Sequence, residues 1–529
     1  MKEWLIAGGV CLLSSLIYVL AFPPFAMAEG ASVFAVPILV WLFHKQPRKL
    51  LFAVIGGWGL LSWLALIVWL RHVTFGGYIF LSILLAAYFS LWFFAAAWLL
   101  PRLREASTFS RIVGMISLAA LWVVHEYVRS FFLTGFPWLP LAASQWQRPL
   151  LLQTSAWTGS YGVSFILIFF NLGLAFYIEK TIRLARKGWQ RISPELITAL
   201  FVFLLSGFGG FYLTRSSSGE RETLFNAAFI QPDIPQELKW DPSRSTDVLQ
   251  TIRRTTLAIK NAPKTPDIVI WPEAVTPFAV VGDYGMQRWT EEVAAAMEAP
   301  LFIGSIGVDR TKIDDWFNGA MVIDPETGLS SEYYRKRKLV PFGEYIPFGF
   351  LFSWISKFVP IEGSFAKGES AAPLTAEVAG KSYDFGALIC YEDVFPALAR
   401  TTAREGAEML IVITNNAWYG EEGMPYQHAA HSVLRAVETR LPVLRSGNNG
   451  WSGWIDEYGT IRGVLVDGNG SVFFRGAEVM EISRDQAWKG KTSFYVRYGN
   501  WFVWLCAGIS IFGFAANYRS SPRKPGRNE

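Results

Sequence analysis

Three points along the 529-residue chain place a reactive side chain where an apolar run gives way to polar residues. Asp267-Ile268-Val269-Ile270-Trp271-Pro272-Glu273 delivers a carboxylate, the basic run Tyr334-Arg335-Lys336-Arg337-Lys338-Leu339-Val340-Pro341-Phe342-Gly343-Glu344 offers buried-or-surface cations, and Phe385-Gly386-Ala387-Leu388-Ile389-Cys390-Tyr391-Glu392-Asp393 ends on a thiol. Strand ends expose backbone above a rigid sheet, and polar groups converge there. Taken singly, Glu273 reads as a solvated carboxylate and Lys336 as part of a surface turn. Cys390 is more informative. Free cysteine is usually a small buried hydrophobe, but a strand-end thiol followed by polar residues is the setting of a nucleophile. The other two cysteines, Cys11 and Cys506, fall inside long apolar runs. A thiol of ordinary pKa, about 8.5, is mostly protonated at neutral pH and needs a base before it attacks a carbonyl.

The segment around these points alternates short β-branched runs with helical stretches, the pattern of an α/β layered sheet. It predicts strands at Asn226–Ile230, Asp267–Trp271, Pro300–Ile306, Ala320–Asp324, Phe385–Cys390, Met409–Thr414 and Pro442–Arg445. Amphipathic helices are expected at Ser243–Asn261, with Ser243 as N-cap, at Gln287–Ala296 and at Gln427–Thr439.

Every aspartate lies between Asp233 and Asp485, and before residue 219 the only acidic residues are Glu3, Glu29, Glu105, Glu126, Glu179 and Glu195. Hydrophobic residues make up 52% of the chain and charged residues 17%, against about 25% charged in soluble domains. This excludes a fully soluble protein, a disordered chain and a nucleic-acid binder. The net charge of +5 needs no polyanionic partner, because short basic loops at a membrane supply it. Three cysteines exclude a disulfide scaffold or a Cys-rich metal site.

A spanning helix needs about 20 mostly apolar residues. Candidates fall near 4–22, 31–44, 51–70, 76–100, 112–133, 157–178, 197–214 and 497–518, about eight spans, the second being short and carrying Pro37. Lys and Arg mark cytoplasmic loops. They cluster at Lys45, Arg48 and Lys49, at Arg102, Arg104 and Arg111, at Lys180, Arg183, Arg186, Lys187 and Arg191, and at Arg519, Arg523, Lys524 and Arg527. Both termini are then cytoplasmic and the polar domain lies outside, in a bacterium the periplasm. The expected organisation is a membrane domain over 1–218, a catalytic domain over 219–487 and a last span with a basic tail over 488–529. Glu126 and Arg129, three apart within a proposed span, read as a structural ion pair.

A Glu on WPE, a Lys in a basic turn and a Cys on CYE, in that order, resemble the Glu-Lys-Cys triad of the nitrilase superfamily. With the membrane segments, the chain resembles the apolipoprotein N-acyltransferase family, the membrane-bound branch of that superfamily. The likeness runs through Phe22-Pro23-Pro24-Phe25, Gly135-Phe136-Pro137-Trp138, Trp240, the Tyr334–Glu344 run, Cys390-Tyr391-Glu392 and Asn416-Ala417-Trp418-Tyr419-Gly420. Two positions depart from the pattern, Asn416 in place of Asp and Arg440 in place of Gly.

The resemblance implies a polytopic α-helical membrane domain followed by a nitrilase-like αββα sandwich. It implies Cys390 as nucleophile, Glu273 as base and Lys336 as oxyanion stabiliser, with supporting or binding roles for Trp240, Glu344, Tyr391 and Glu392. To work near neutrality, Glu273 is expected to have its pKa raised by burial. A membrane phospholipid would donate an acyl chain through a cysteine thioester to the α-amino group of a diacylglyceryl-cysteine at an apolipoprotein N-terminus, in the bacterial inner membrane. No metal or dissociable cofactor is expected, and neither an H-E-x-x-H nor a G-x-S-x-G motif occurs. The alternative is a membrane-tethered nitrilase-like amidase or hydrolase, with water as acceptor. A transporter with an outer binding domain fits less well, because the proposed spans hold few ionisable groups.

One segment stands outside this chemistry. Leu351, Trp354, Ile355 and Phe358 lie at helical spacing in a run too apolar for a loop and too short to span a bilayer. Such a helix would form either a membrane-dipping lid or a helix docked on the domain's own core.

Overall fold

The protein, a computed structural model, is described at residues 1–184, 193–216, 220–239, 241–308, 316–347 and 365–519. Trp240 and the four residues of the expected lid, Leu351, Trp354, Ile355 and Phe358, lie outside them. Contacts divide the chain into two units, Met1–Tyr212 with Asn500–Glu529, and Leu213–Gly499.

The apolar runs fold as helices because a chain with few competing polar groups satisfies its backbone within the segment. Among the described residues, six helices are long and apolar enough to cross a membrane: Lys2–Leu20, Arg48–Leu66, Phe75–Leu103, Thr108–Arg129, Ser160–Leu184 and Pro194–Arg215. Thr74 and Ser107 start two of them, their hydroxyls accepting from Gly77 N and Ser110 N. The expected second span is a 3-10 turn, Ala28–Ser32, and a seven-residue helix, Val36–Leu42. Pro37 opens that helix rather than kinking it, since the first turn has no use for its missing N–H. The final apolar helix, Trp501–Arg519, follows a break at Gly499, whose φ of 63° ends the short helix Phe494–Tyr498. Val503 and Cys506 pack it onto Ala120, Val123 and Tyr161.

Between Arg129 and Pro149 this unit forms only two 3-10 turns, Phe132–Thr134 and Leu141–Gln145, yet it is buried from Trp138 through Trp146. Buried backbone without a ladder must find side-chain partners. Glu126 and Arg129 serve here: Leu141 N donates to Glu126 Oε1 at 2.7 Å, and Arg129 Nη1 donates to the Trp138 carbonyl at 2.8 Å. The expected pair thus holds the backbone at Trp138, the last residue of the Gly135-Phe136-Pro137-Trp138 run, and at Leu141, through separate bonds.

Among the described residues, the second unit contains twelve strands. They are β1 (Arg221–Gln231), β2 (Ile268–Ile270), β3 (Leu301–Val308), β4 (Trp316–Asp324), β5 (Gly328–Arg335), β6 (Leu374–Val378), β7 (Lys381–Ile389), β8 (Met409–Thr414), β9 (Val443–Gly447), β10 (Gly453–Ile455), β11 (Ile461–Val464) and β12 (Gly476–Asp485). They form two six-stranded sheets, ordered β12-β1-β2-β3-β4-β5 and β11-β10-β9-β8-β7-β6. β1, β2 and β3 run parallel, as do β7, β8 and β9.

Side chains alternate across a strand, so each central strand feeds two cores. Phe225, Ala227 and Phe229 face Phe385, Ala387, Ile389, Ile411 and Ile413 between the sheets. Ala228, Ile230, Val269, Leu301 and Ile303 face the outer core, with Val248 and Ile252 of the helix Ser245–Leu257 and Val293 and Met297 of the helix Tyr284–Met297. The layers are therefore α-β-β-α. All seven expected strands are present. β5 escapes the sequence pattern because half of Gly328-Leu329-Ser330-Ser331-Glu332-Tyr333-Tyr334-Arg335 is polar, as suits an edge strand. Asp241, not Ser243, caps the first amphipathic stretch: its carboxylate accepts from Ser243 N at 2.9 Å.

Candidate active site

Parallel strands leave their carboxyl ends on one side, and residues just beyond those ends converge. β2 ends three residues before Glu273, β7 ends directly before Cys390, and β8 directly before Asn415. β5 is antiparallel to β4, which is antiparallel to β3, so β5 delivers Lys336 at the same edge.

Lys336 is 1% exposed and lies between two carboxylates, 3.1 Å from Glu273 Oε1 and 2.8 Å from Glu344 Oε1. Asn318, on β4, donates to both, at 2.8 Å and 3.1 Å. The second oxygen of Glu273 accepts from Asn415 N at 3.0 Å, which leaves it lone-pair capacity for a thiol proton. Lys239 donates to the Glu273 carbonyl at 3.2 Å. Glu344 Oε2 accepts from Val340 N at 2.8 Å, folding the lysine turn back on itself.

Cys390 occupies positive φ, 51°, at the start of the turn Cys390–Val394. A non-glycine residue there costs roughly 1–2 kcal/mol, and surrounding bonds must hold it. Glu392 supplies several. Its Oε2 accepts from Ile389 N and the Tyr334 hydroxyl at 2.8 and 2.7 Å, and its Oε1 accepts from Arg337 N and Lys338 N. One buried carboxylate thus ties the cysteine turn to the lysine turn. Tyr391 is buried, its ring edge-on to Phe395 at 5.0 Å.

The electrostatics depart from expectation at Glu273. Burial opposes its charge, but the Lys336 cation and the bonds from Asn318 and Lys336 outweigh burial and hold the carboxyl below its ordinary value. The expected upward shift is therefore corrected, because the cation stands in hydrogen-bond contact. Lys336 is likewise held well above the usual lysine range: burial works against it, and Glu273 and Glu344 prevail. Burial, then the Glu273 charge, pushes the Cys390 thiol up to about 12, with Lys336 and a Thr414 hydrogen bond opposing. Burial first and the Glu273 charge second therefore keep the thiol protonated at rest. Proton removal then has to accompany attack rather than precede it.

The structure thus brings Glu273, Lys336 and Glu344 into direct contact and places Cys390 and Glu392 beside them. Asn318, Asn415 and Lys239 join the site without having been singled out by sequence reasoning, as does Tyr419, whose ionisation is suppressed by burial and by the fields of Cys390 and Glu273. Only Tyr419 carried a signal, its place in the Asn416-Ala417-Trp418-Tyr419-Gly420 run. Of the two departures, Arg440 adopts the left-handed conformation that favours glycine, φ 61°, at the end of the helix Met424–Thr439. Its guanidinium donates to the Glu457 carbonyl at 3.0 Å and lies over Tyr458 and Trp488. Asn416 Oδ1 accepts from the Thr414 hydroxyl at 3.1 Å.

Residues 14–173 match the model of the apolipoprotein N-acyltransferase N-terminal domain, and residues 226–474 that of carbon-nitrogen hydrolase. An apolipoprotein N-acyltransferase of Geobacter metallireducens is 31% identical over 522 residues, covering 97% of this chain and 95% of that protein. One of Brucella melitensis is 30% identical over 480 residues, covering 86% of each.

Proposed function

The chain belongs to the apolipoprotein N-acyltransferase family, and from that premise we propose how its residues carry out the transfer. It is a bacterial membrane acyltransferase acting on lipoproteins. The observation that carries the catalytic reading is the buried Glu273–Lys336 contact at the strand ends that also present Cys390 on a positive-φ turn.

In the first half-reaction the Cys390 sulfur attacks the carbonyl of a phospholipid ester while its proton passes to Glu273. The C=O π pair moves onto oxygen, and Lys336 stabilises that oxyanion, a contribution of about 3–4 kcal/mol for one such donor. Collapse expels the lysophospholipid alkoxide, which takes the proton from Glu273, and leaves a thioester on Cys390. In the second half-reaction the neutral α-amino group of a diacylglyceryl-cysteine attacks the thioester. Its nitrogen forms the amide, the C–S bond breaks, and the amine proton returns through Glu273 to the thiolate. One cysteine serving two substrates in turn gives ping-pong kinetics. Glu392 holds the two turns together, Glu344 keeps Lys336 charged and placed, and Tyr391 lines the approach to the thiol. Trp240 joins them by family resemblance.

The basic loops support an inner-membrane protein with both termini cytoplasmic and the catalytic unit periplasmic. The test is intact-mass analysis of the purified full chain with phospholipid and no acceptor. An adduct of one acyl chain on Cys390 is expected. Free fatty acid with no adduct, and no amine acylation on adding acceptor, would favour a hydrolase and overturn the proposal.

A further inference from the structure

The helix Met424–Thr439 is buried at every position but Tyr426, yet His428, Ser432 and Arg435 share one face at helical spacing. Buried polar groups cost free energy unless satisfied and contribute little net stability when paired. Their partner is the turn that carries the nucleophile. Asp393 Oδ2 accepts from Ser432 Oγ at 2.6 Å and Arg445 Nη1 at 2.8 Å, while Arg435 Nη1 reaches the Asp393 and Val394 carbonyls at 3.3 Å. His428 Nε2 lies 3.1 Å from the Cys390 carbonyl oxygen and 2.8 Å from Asp393 Oδ1. Both neighbours are acceptors, so Nε2 carries a hydrogen.

The Cys390 carbonyl belongs to the same planar trans peptide as the Tyr391 N–H, and in such a unit C=O and N–H point in opposite directions. Holding the carbonyl toward the helix therefore turns the Tyr391 N–H away from it. We propose that His428 is a positioning residue that captures the Cys390 carbonyl and so aims the Tyr391 N–H at the oxyanion that Lys336 also stabilises. The inference rests on Cys390 being the acylated nucleophile. It explains why the Cys390 φ of 51° is held from behind by a side chain of another helix as well as from the side by Glu392.

Two reactions of the same thiol separate this role from general support of the fold. Acylation develops an oxyanion; alkylation by iodoacetamide, a displacement at saturated carbon, does not. Both rates are measured by intact mass on the full chain with phospholipid or with iodoacetamide. His428→Met, which has no donor, is expected to slow thioester formation about 100-fold at saturating phospholipid. Its half-saturating concentration should not change, and alkylation should stay within about threefold of the parent. His428→Gln, whose amide still donates, is expected to recover most of the loss. Should His428→Met fail to fold, His428→Asn, too short to reach the carbonyl, takes its place. A parallel fall in both rates, or unchanged thioester formation, overturns the positioning role. A parent protein that forms no adduct refutes the acyl-enzyme reading itself and takes this inference with it.

Discussion

Lys336 Nζ lies closer to Glu344 Oε1, at 2.8 Å, than to Glu273 Oε1, at 3.1 Å. The lysine is thus shared between two carboxylates, and the Glu344 field adds to burial and the Glu273 charge in raising the Cys390 pKa. Glu344→Gln removes that charge, so the thiol pKa should fall and the small thiolate fraction at a fixed pH should rise in proportion. Iodoacetamide should then label Cys390 faster at about pH 8, while phospholipid acylation slows because Lys336 has lost a fixed partner. Slower or unchanged labelling in a folded variant would remove this electrostatic account.

Cys390→Ala should leave the fold intact and abolish both adduct and product. Cys11→Ala and Cys506→Ala should be nearly silent, as both thiols are packed among apolar helices. Lys336→Ala and Glu273→Gln should each slow thioester formation by about 100- to 1,000-fold. Substantial N-acylation by Cys390→Ala would show that the nucleophile lies elsewhere.

The pH dependence follows from the signs of the shifts. A base held below its ordinary value stays ionised as pH falls through the weakly acid range, and a lysine held above its ordinary value stays charged as pH rises. Thioester formation should therefore be flat between about pH 5.5 and 7. Transfer to the amine should rise with pH across the α-amino titration, about 7.7–8.0. An acid limb centred near pH 6 in thioester formation would mean that Glu273 is not held low.

Arg440→Gly sets two effects against each other. Relief of the left-handed residue is worth roughly 1–2 kcal/mol. Loss of a fully buried side chain leaves the Glu457 carbonyl without its donor and a cavity between two aromatic rings, a cost of about 3–5 kcal/mol. The variant should be destabilised by about 2 kcal/mol, read as a lowered thermal transition. A stabilised variant would show that backbone strain dominates here.

Reporter fusions at residue 187 and after residue 519 should report cytoplasm, and one near residue 310 should report periplasm, following the basic loops. A cytoplasmic signal at 310 would put the catalytic unit on the wrong side for a lipoprotein acceptor.

The long apolar helices, the α/β pattern of the second unit and the three reactive strand ends were legible in the sequence. Each is a local property: an apolar run, a two-residue period, or a change from apolar to polar within a few residues. The edge strand β5, like β6, β10, β11 and β12, was not; β5 carries polar residues on both of its faces, which erases the period that marks a strand. Asn318, Asn415, Lys239 and His428 were invisible for a different reason. Nothing beside them in the chain distinguishes an asparagine on β4 or a histidine in a buried helix. Their importance comes from the order of strands, which sets Asn318 beside Glu273 across 45 residues and His428 behind Cys390 across 38. The same holds for charge. Family resemblance in the sequence marked Glu273 as the candidate base, but the direction in which its pKa moves depends on burial against a cation 3.1 Å away, a balance of lost hydration and Coulomb attraction that exists only once the sheets have brought the two together.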